Sequence, residues 1–198
     1  MPSLKEVQYY LTGLWLLTRV NPHGLRYLDL SDRGMLRSFW AIVWCLPPTI
    51  ISWIWWQRIF LAKMPQGTAT GFSFFLRLGL IEVISWLVPL LVVGLIALAT
   101  GLGPRYSAIV TVANWILVPF TYALGALVAL ILVFPHAEPL LAPLWFVLIT
   151  LLIIALTRVF RVVCGPQPVR NAALIIGLLA PAIPLSEALQ RFLGVYPP

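Results

Sequence analysis

Glu82 is the side chain of this sequence whose type and setting point most directly to chemistry. It is the only carboxylate inside any of the long apolar runs, and an acid within a membrane span is by default a candidate functional residue. Three interpretations remain open: an ion pair with Arg77 or Arg58, a polar contact in helix packing, or coupling to an ion or proton. The ion pair is the preferred prediction, because both arginines lie toward the same end of the run.

Four further positions are candidate polar or kink sites. Asn114 lies near the middle of the longest apolar run, and Pro119 removes a backbone donor from the same run, which predicts a kink near Val118. Pro47 and Pro48 fall near the centre of the first long run. The helix either bends there, or it exposes carbonyl groups to a neighbouring helix or a polar ligand.

Catalytic and metal sites require spacings that the sequence lacks. It contains no His-Glu-x-x-His, no Gly-x-Ser-x-Gly and no Walker-type loop. His136 and Glu138 are close in sequence, but a metal site takes three or four ligands. Cys45 and Cys164 form no metal or redox spacing. We therefore predict no catalytic residues, no metal, no cofactor and no enzyme activity.

The composition is that of a membrane protein. Of 198 residues, 61% are hydrophobic and only 10% are charged, whereas a soluble domain carries about 25% charged residues. The net charge of +7 comes from cations that flank apolar runs, which favours anionic lipid headgroups as partners and not nucleic acid. Arginine greatly outnumbers lysine, which is compatible with a GC-rich bacterial genome and predicts a bacterial inner membrane.

Apolar runs of sufficient length predict an all-α fold, a polytopic transmembrane helical bundle of about five spans. The membrane domain covers residues 39–193, and its predicted spans are 39–60, 78–99, 106–134, 140–163 and 171–190. The span 106–134 contains no charged residue and no histidine, so we expect the other spans to pack around it.

Small residues recur at helical spacing in two of these spans. Thr121, Gly125 and Ala129 follow each other every four residues, and Ala173 and Gly177 do the same. Such faces let a second helix approach closely in lipid.

The fifth span has a distinct second half. Pro181 and Pro184 interrupt it, and the residues that follow are predicted to form an amphipathic end with a Glu187–Arg191 pair at i,i+4.

Tryptophans mark both ends of the first span. Trp40 and Trp44 lie at one end and Trp53, Trp55 and Trp56 at the other, as expected for the two membrane interfaces.

Residues 1–38 are predicted to form a cytoplasmic, amphipathic N-terminal segment. Ser3 and Glu6 match a capping box for a helix that ends near Thr18. Its apolar face suits an interfacial helix in the headgroup plane or docking on the protein, and both alternatives stay open. With the N-terminus inside, the inner segments hold nine cations and the outer segments four, as the positive-inside rule requires.

Sparse positions along the chain resemble the Yip1-domain family of five-span membrane proteins. They are Leu17-Thr18-Arg19-Val20-Asn21-Pro22, Tyr27, Gly103-Pro104-Arg105-Tyr106, Trp115, Pro119, Trp145, Gly165-Pro166 and Val169-Arg170-Asn171-Ala172. The resemblance covers most of the chain and implies five spans with no catalytic residues to transfer. Eukaryotic members are associated with vesicle trafficking and small GTPases. This chain lacks their long polar N-terminal region, so GTPase binding is not carried over.

Two functions fit these features. The first is a non-catalytic membrane protein of Yip1-like type that acts through protein or lipid interactions, with the bilayer, a membrane-protein partner or a second copy of the chain as partners. The alternative is a small transporter, permease or channel subunit that works as an oligomer. In that case broken spans open backbone groups near the midplane, and Glu82, Ser85, Thr111 and Asn114 line a path. We prefer the first, because no inverted repeat is apparent.

Overall fold

The computed structural model describes residues 1–197, and within them every regular element is helical. The α-helices are α1 (Leu4–Thr18), α2 (Asp32–Ser38), α3 (Ala41–Ala62), α4 (Phe72–Ala99), α5 (Tyr106–Val133), α6 (Glu138–Cys164), α7 (Pro168–Leu179) and α8 (Ala182–Phe192). Short 3-10 turns at Pro22–Tyr27, Gly103–Arg105 and Pro135–Ala137 join some of them. The predicted all-α fold is confirmed.

Five segments are long and apolar enough to cross a membrane. They are Asp32–Ala62, Phe72–Ala99, Gly103–Val133, Pro135–Cys164 and Pro168–Phe192. This number confirms the prediction of five spans, and the chain fits a multi-pass membrane protein. The fifth span is interrupted near Pro181, as its prolines predicted, because α7 ends at Leu179 and α8 begins at Ala182. Pro181 stands between them, and its ring cannot continue the helix that precedes it.

The centre of the bundle is α5, as its uncharged sequence predicted. It packs against α1, α2, α3, α4 and α6, and nearly every residue from Ile109 to Val118 is buried. Trp115 is among the largest buried side chains, and its ring lies 4.9 Å from that of Tyr10 between centroids. α1 and the central span therefore belong to one hydrophobic core.

Two glycines mark the closest helix crossings and confirm the predicted small-residue faces. A Cβ atom added to Gly125 of α5 would lie 2.4 Å from Cβ of Pro48 in α3. A Cβ atom added to Gly177 of α7 would lie 2.5 Å from Cδ1 of Ile96 in α4. Real Cβ atoms do not approach other atoms so closely, so glycine is required at Gly125, where the neighbour is a proline ring within a helix, whereas at Gly177 the terminal methyl of Ile96 can rotate away.

The N-terminal helix begins with the predicted capping box. Ser3 Oγ accepts a hydrogen bond from the backbone N–H of Glu6, and the Glu6 carboxylate accepts one from the N–H of Ser3. One face of α1 packs on α5 and α6 and buries Val7, Leu14 and Leu17. This face of α1 is therefore docked on the protein, as one of the two alternatives predicted. Leu4 and Trp15, on the outer side of α1, are exposed.

Candidate functional site

Asn114 lies at the centre of a hydrogen-bonded network between helices. Its Nδ2 donates to Ser38 Oγ at 2.8 Å, and its Oδ1 accepts from Trp86 Nε1 at 2.9 Å. Ser38 in turn donates to the carbonyl of Met35. Asn114 is completely buried, and both of its polar atoms are paired, so it joins α2, α4 and α5 and offers little to a ligand.

The candidate prolines lie within uninterrupted helices. Pro48 is buried at the crossing with Gly125, whereas Pro47 faces outward. The hydroxyl of Ser52 donates to the carbonyl of Pro48 at 3.2 Å. The helix α5 continues through Pro119 without interruption, and the kink expected near that residue stays a prediction.

Glu82 lies in a pocket of about 170 Å³ that is lined by residues of α3, α4, α5, α6 and α8. We call it the Glu82 pocket. Within residues 1–197 the salt bridges are Arg37–Glu6 and Arg191–Glu187, so the predicted ion pair of Glu82 with Arg77 or Arg58 is wrong. Helical neighbours that face each other are three or four residues apart, and Arg77 is five residues from Glu82. Its Nη1 instead donates to the carbonyl of Leu193, just after α8, at 2.9 Å.

Indole side chains form much of the wall of the Glu82 pocket. Trp53, Trp55 and Trp56 come from α3 and Trp145 comes from α6, and all four are half-buried. The rings of Trp55 and Trp145 lie 6.3 Å apart between centroids. Trp56 is fixed by a hydrogen bond from its Nε1 to the carbonyl of Val195 at 2.9 Å. The pocket therefore presents several aromatic faces, whose π-electrons attract cations.

Besides Glu82, the side-chain oxygen atoms of the pocket come from Ser52, Ser186 and Gln190. Gln190 donates through Nε2 to Ser186 Oγ at 3.1 Å, and this leaves its Oε1 as an acceptor. Ser52 uses its proton on the carbonyl of Pro48 and keeps the lone pairs of Oγ. Together with the Glu82 carboxylate, these oxygens make the pocket rich in acceptors, and its lining residues include no Lys, Arg or His.

The sequence pointed to Glu82 but not to the tryptophans that line the pocket with it. Trp53, Trp55 and Trp56 were predicted to form a membrane-interface belt, and no contact was predicted for Trp145. A signal was present, because Trp53 and Trp56 are three residues apart and so share a helix face. Trp145 lies about 90 residues further along the chain, and only the folded bundle places it beside Trp55.

A second and larger groove, of about 710 Å³, runs between α6 and α7. We call it the α6–α7 groove. Apolar side chains line most of its length, among them Ile149, Ile153, Ile175, Ile176 and Leu179.

Arg161 and Asn171 stand where α6 gives way to α7, at the polar end of the groove. Arg161 is exposed, and in the part of the chain that the structure describes it makes no salt bridge. Asn171 is only 4% exposed, and its Nδ2 donates to the carbonyl of Gly165 at 2.9 Å. Its Oδ1 is buried with no hydrogen-bond partner among the described residues. A buried acceptor without a partner costs about 1–3 kcal/mol, and this atom has almost no accessible surface, so a ligand in the groove does not reach it without a rearrangement of the side chain.

No group of three or more His, Cys, Asp or Glu side chains that could hold a metal ion occurs in residues 1–197. The predicted site residues are thus dispersed: Glu82 and Pro48 lie near one pocket, Asn114 belongs to a separate network, and Pro119 lines a groove beneath α1. Comparison of the chain with protein-family models, with curated proteins and with solved structures gave no match.

Proposed function

We propose that this chain is a non-catalytic multi-pass membrane protein that binds an anionic phospholipid in the α6–α7 groove. The observation that carries the proposal is an apolar groove that ends at the exposed guanidinium of Arg161, which makes no salt bridge among the described residues. An acyl chain fills the apolar length, and the phosphate pairs with Arg161.

The dimensions of the groove support this occupant. On α6 the groove extends from Ile149 to Arg161, which is about 18 Å at the helical rise of 1.5 Å per residue. One leaflet of the hydrocarbon core is about 15 Å thick. A lipid whose chain lies along the groove therefore brings its phosphate to the level of Arg161.

We further propose that the protein is of Yip1-like type and that it lies in a bacterial inner membrane with its N-terminus in the cytoplasm. The five apolar helices and the distribution of cations support this assignment. Residues that carry the resemblance also make buried contacts, since Leu17 and Trp115 are in the core and Arg105 donates to the carbonyl of Val163. In this orientation the α6–α7 groove opens toward the cytoplasmic leaflet, where anionic lipids attract basic residues.

Native mass spectrometry of the protein, purified in a gentle detergent, tests the lipid proposal. After incubation with equal amounts of phosphatidylglycerol and phosphatidylcholine, we expect the native chain to retain phosphatidylglycerol. Arg161→Gln should reduce this retention about tenfold, because it removes a charge-assisted contact with the phosphate. Arg58→Gln is the matched control, since Arg58 is also exposed and lies outside the groove.

Equal retention of phosphatidylglycerol by Arg161→Gln and by the native chain would contradict the proposal. A stoichiometric membrane protein that copurifies in place of lipid would favour a protein partner for this surface.

A small transporter, permease or channel subunit is the second candidate function, and the Glu82 pocket favours it. A carboxylate in a polar, aromatic pocket between helices is typical of a path for cations. In such a transporter Glu82→Gln would abolish transport while the protein remained in the membrane. Full transport by a folded Glu82→Gln variant would exclude coupling through this residue.

A further inference from the structure

The Glu82 pocket contains a carboxyl group whose charge no side chain of the described chain balances. In an apolar setting a carboxyl group is held neutral by a proton or balanced by a cation. Arg77, the nearest cation along α4, lies about 7.5 Å further toward the end of the helix and is bound to Leu193. A cation that pairs with Glu82 must therefore come from outside the chain.

The lining of the pocket selects the class of cation. A calcium or magnesium ion takes six or more oxygen ligands, and zinc takes four. The pocket offers Glu82 as its one carboxylate, and four of its eleven lining residues are tryptophans. Aromatic faces with a carboxylate are the typical surroundings of an organic ammonium group, and Trp is the most effective aromatic residue in this role.

The volume of the pocket and its hydrogen-bond acceptors further restrict which ammonium compounds it can bind. About 170 Å³ gives room for about five or six water-sized groups, which is enough for a two-carbon amine such as ethanolamine and too little for a much larger molecule. A primary ammonium group has three N–H donors. The carboxylate of Glu82, Oγ of Ser52 and Oε1 of Gln190 provide acceptors for all three. A quaternary ammonium group has no donor and would leave these oxygens unpaired.

We propose that the Glu82 pocket binds the ammonium group of a small primary amine, with Glu82 as its counter-ion and the indole faces of Trp55 and Trp145 as its cation–π partners. The amine is either free or the headgroup of phosphatidylethanolamine. The site is independent of the lipid proposed for the α6–α7 groove, because Trp145 and Arg161 are about 24 Å apart along α6. Each of the two proposals can therefore fail without the other.

Isothermal titration of ethanolamine into the full-length protein tests the site. The protein is placed in nanodiscs of phosphatidylglycerol alone, so that no lipid amine competes. We expect saturable binding, and we expect binding of tetramethylammonium at least fivefold weaker. Glu82→Gln should weaken ethanolamine binding at least tenfold, because the counter-ion is removed. Glu138→Gln is the matched control, since Glu138 is an exposed carboxylate outside the pocket.

A second variant covers the case in which Glu82→Gln does not fold. Trp145 lies in the half of α6 that has few buried residues, so Trp145→Leu should leave the bundle intact. Loss of one cation–π contact should weaken ethanolamine binding about two- to fivefold. Unchanged binding in each folded variant would overturn the proposal. So would tetramethylammonium binding as tightly as ethanolamine.

Nanodiscs that contain phosphatidylethanolamine distinguish the two sources of the amine. If the lipid headgroup occupies the pocket, added ethanolamine no longer binds to the native chain there, and native mass spectrometry shows retention of phosphatidylethanolamine that Glu82→Gln loses. If the ligand is a free amine, ethanolamine binds equally in both kinds of nanodisc. Either result supports the site. The absence of ethanolamine binding in phosphatidylglycerol together with no retention of phosphatidylethanolamine would overturn it.

Discussion

The two ends of the helical bundle differ in how their polar groups are paired. At the end where α6 finishes, which we call the basic end, three arginines donate to backbone carbonyls: Arg105 to Val163, Arg158 to Thr18, and Arg170 to Cys164. The network of Asn114 lies in the same half of the molecule. At the opposite end, Glu82 has no salt bridge within residues 1–197.

Packing shows the same difference along a single helix. In the second half of α6, Leu156, Val159 and Phe160 are completely buried. In its first half, Leu140 is 80% exposed and Phe146 is 75% exposed. The densely packed half fixes the fold, because most of its polar groups are already paired; Arg161, which makes no salt bridge among the described residues, and the buried Oδ1 of Asn171 are exceptions. The other half keeps a carboxylate, acceptor oxygens and indole faces, and these can still gain free energy from a ligand.

The prediction with the largest expected effect concerns Gly125, where α5 crosses α3. It tests whether close helix packing stabilises the end of the bundle that contains Glu82. Gly125→Ala would place Cβ 2.4 Å from Cβ of Pro48, on a rigid ring within another helix. We expect a loss of about 1–3 kcal/mol of stability. The measurement is the melting temperature of the protein in detergent, followed by size-exclusion chromatography.

Gly79→Ala is the control for this substitution. A Cβ atom at Gly79 would meet only the ring of Trp53, at an ordinary distance of 3.5 Å. Alanine favours a helix over glycine by about 0.5–1 kcal/mol, so the control should be neutral or stabilising. An equal fall in melting temperature for both variants would mean that the crossing at Gly125 has no special role.

The second prediction compares Asn114 and Glu82 by the effect of their substitution on stability. Asn114→Leu leaves the half-buried Trp86 Nε1 without its acceptor, at a cost of about 1–2 kcal/mol, whereas Ser38 Oγ keeps its hydrogen bond to the carbonyl of Met35. Glu82→Gln separates no ion pair and should leave the stability unchanged or raise it. Thermal unfolding of both variants in the same detergent measures the difference. If Glu82→Gln were the more destabilising of the two, Glu82 would belong to the structural framework, and the contrast between the two ends would be wrong.

A third and smaller effect separates two arginines at the basic end. Arg105→Gln removes a charged donor from the carbonyl of Val163 in the last turn of α6, where a cation also complements the helix dipole. Because Arg105 is exposed, we expect a loss of only about 1 kcal/mol. Arg161→Gln should change stability by less than about 0.5 kcal/mol, since Arg161 makes no salt bridge in the described part of the chain.

Lipid retention should show the opposite order for these two arginines. Arg161→Gln should lose phosphatidylglycerol, whereas Arg105→Gln should keep it in the molecules that remain folded. Loss of lipid in both variants to the same degree would indicate a general effect of positive charge and not a site in the α6–α7 groove.

Sequence reasoning succeeded where the structure depends on residues close together in the chain. The capping box of Ser3 and Glu6 spans three residues, and the pair of Glu187 and Arg191 spans four. The small-residue face at Gly125 also follows from periodicity, although the sequence did not say that Pro48 would be its neighbour. Such features are set by the geometry of a single helix.

Sequence reasoning failed where the contact partner of a side chain comes from an element far away in the chain. Arg77 was expected to pair with Glu82 but binds the carbonyl of Leu193, which is 116 residues away. That carbonyl is available only because the chain breaks at Pro181 and α8 packs against α4. The sequence likewise could not predict that Oδ1 of Asn171 is unpaired among the described residues, because no sequence pattern indicates which acceptors lack a hydrogen-bond partner after folding.

The smallest effect concerns the exposed ion pair between Glu6 and Arg37, which joins α1 to α2 at 3.0 Å. The backbone N–H of Ser3 and then the guanidinium of Arg37 hold the pKa of Glu6 below its ordinary value of 4.5. The pair therefore stabilises the fold fully above about pH 4.5, and this contribution is lost as the pH falls through the lowered pKa. Glu6→Gln should melt slightly below the native chain at neutral pH, and the two melting temperatures should converge as the pH falls below the lowered pKa of Glu6. Lys5→Gln, beside it on the exposed surface, should show no such convergence. Protonation of Glu6 removes the ion pair from the native chain, so any difference in melting temperature due to the ion pair must vanish in acid. A difference that persisted unchanged in acid would instead assign the effect to the helix cap alone.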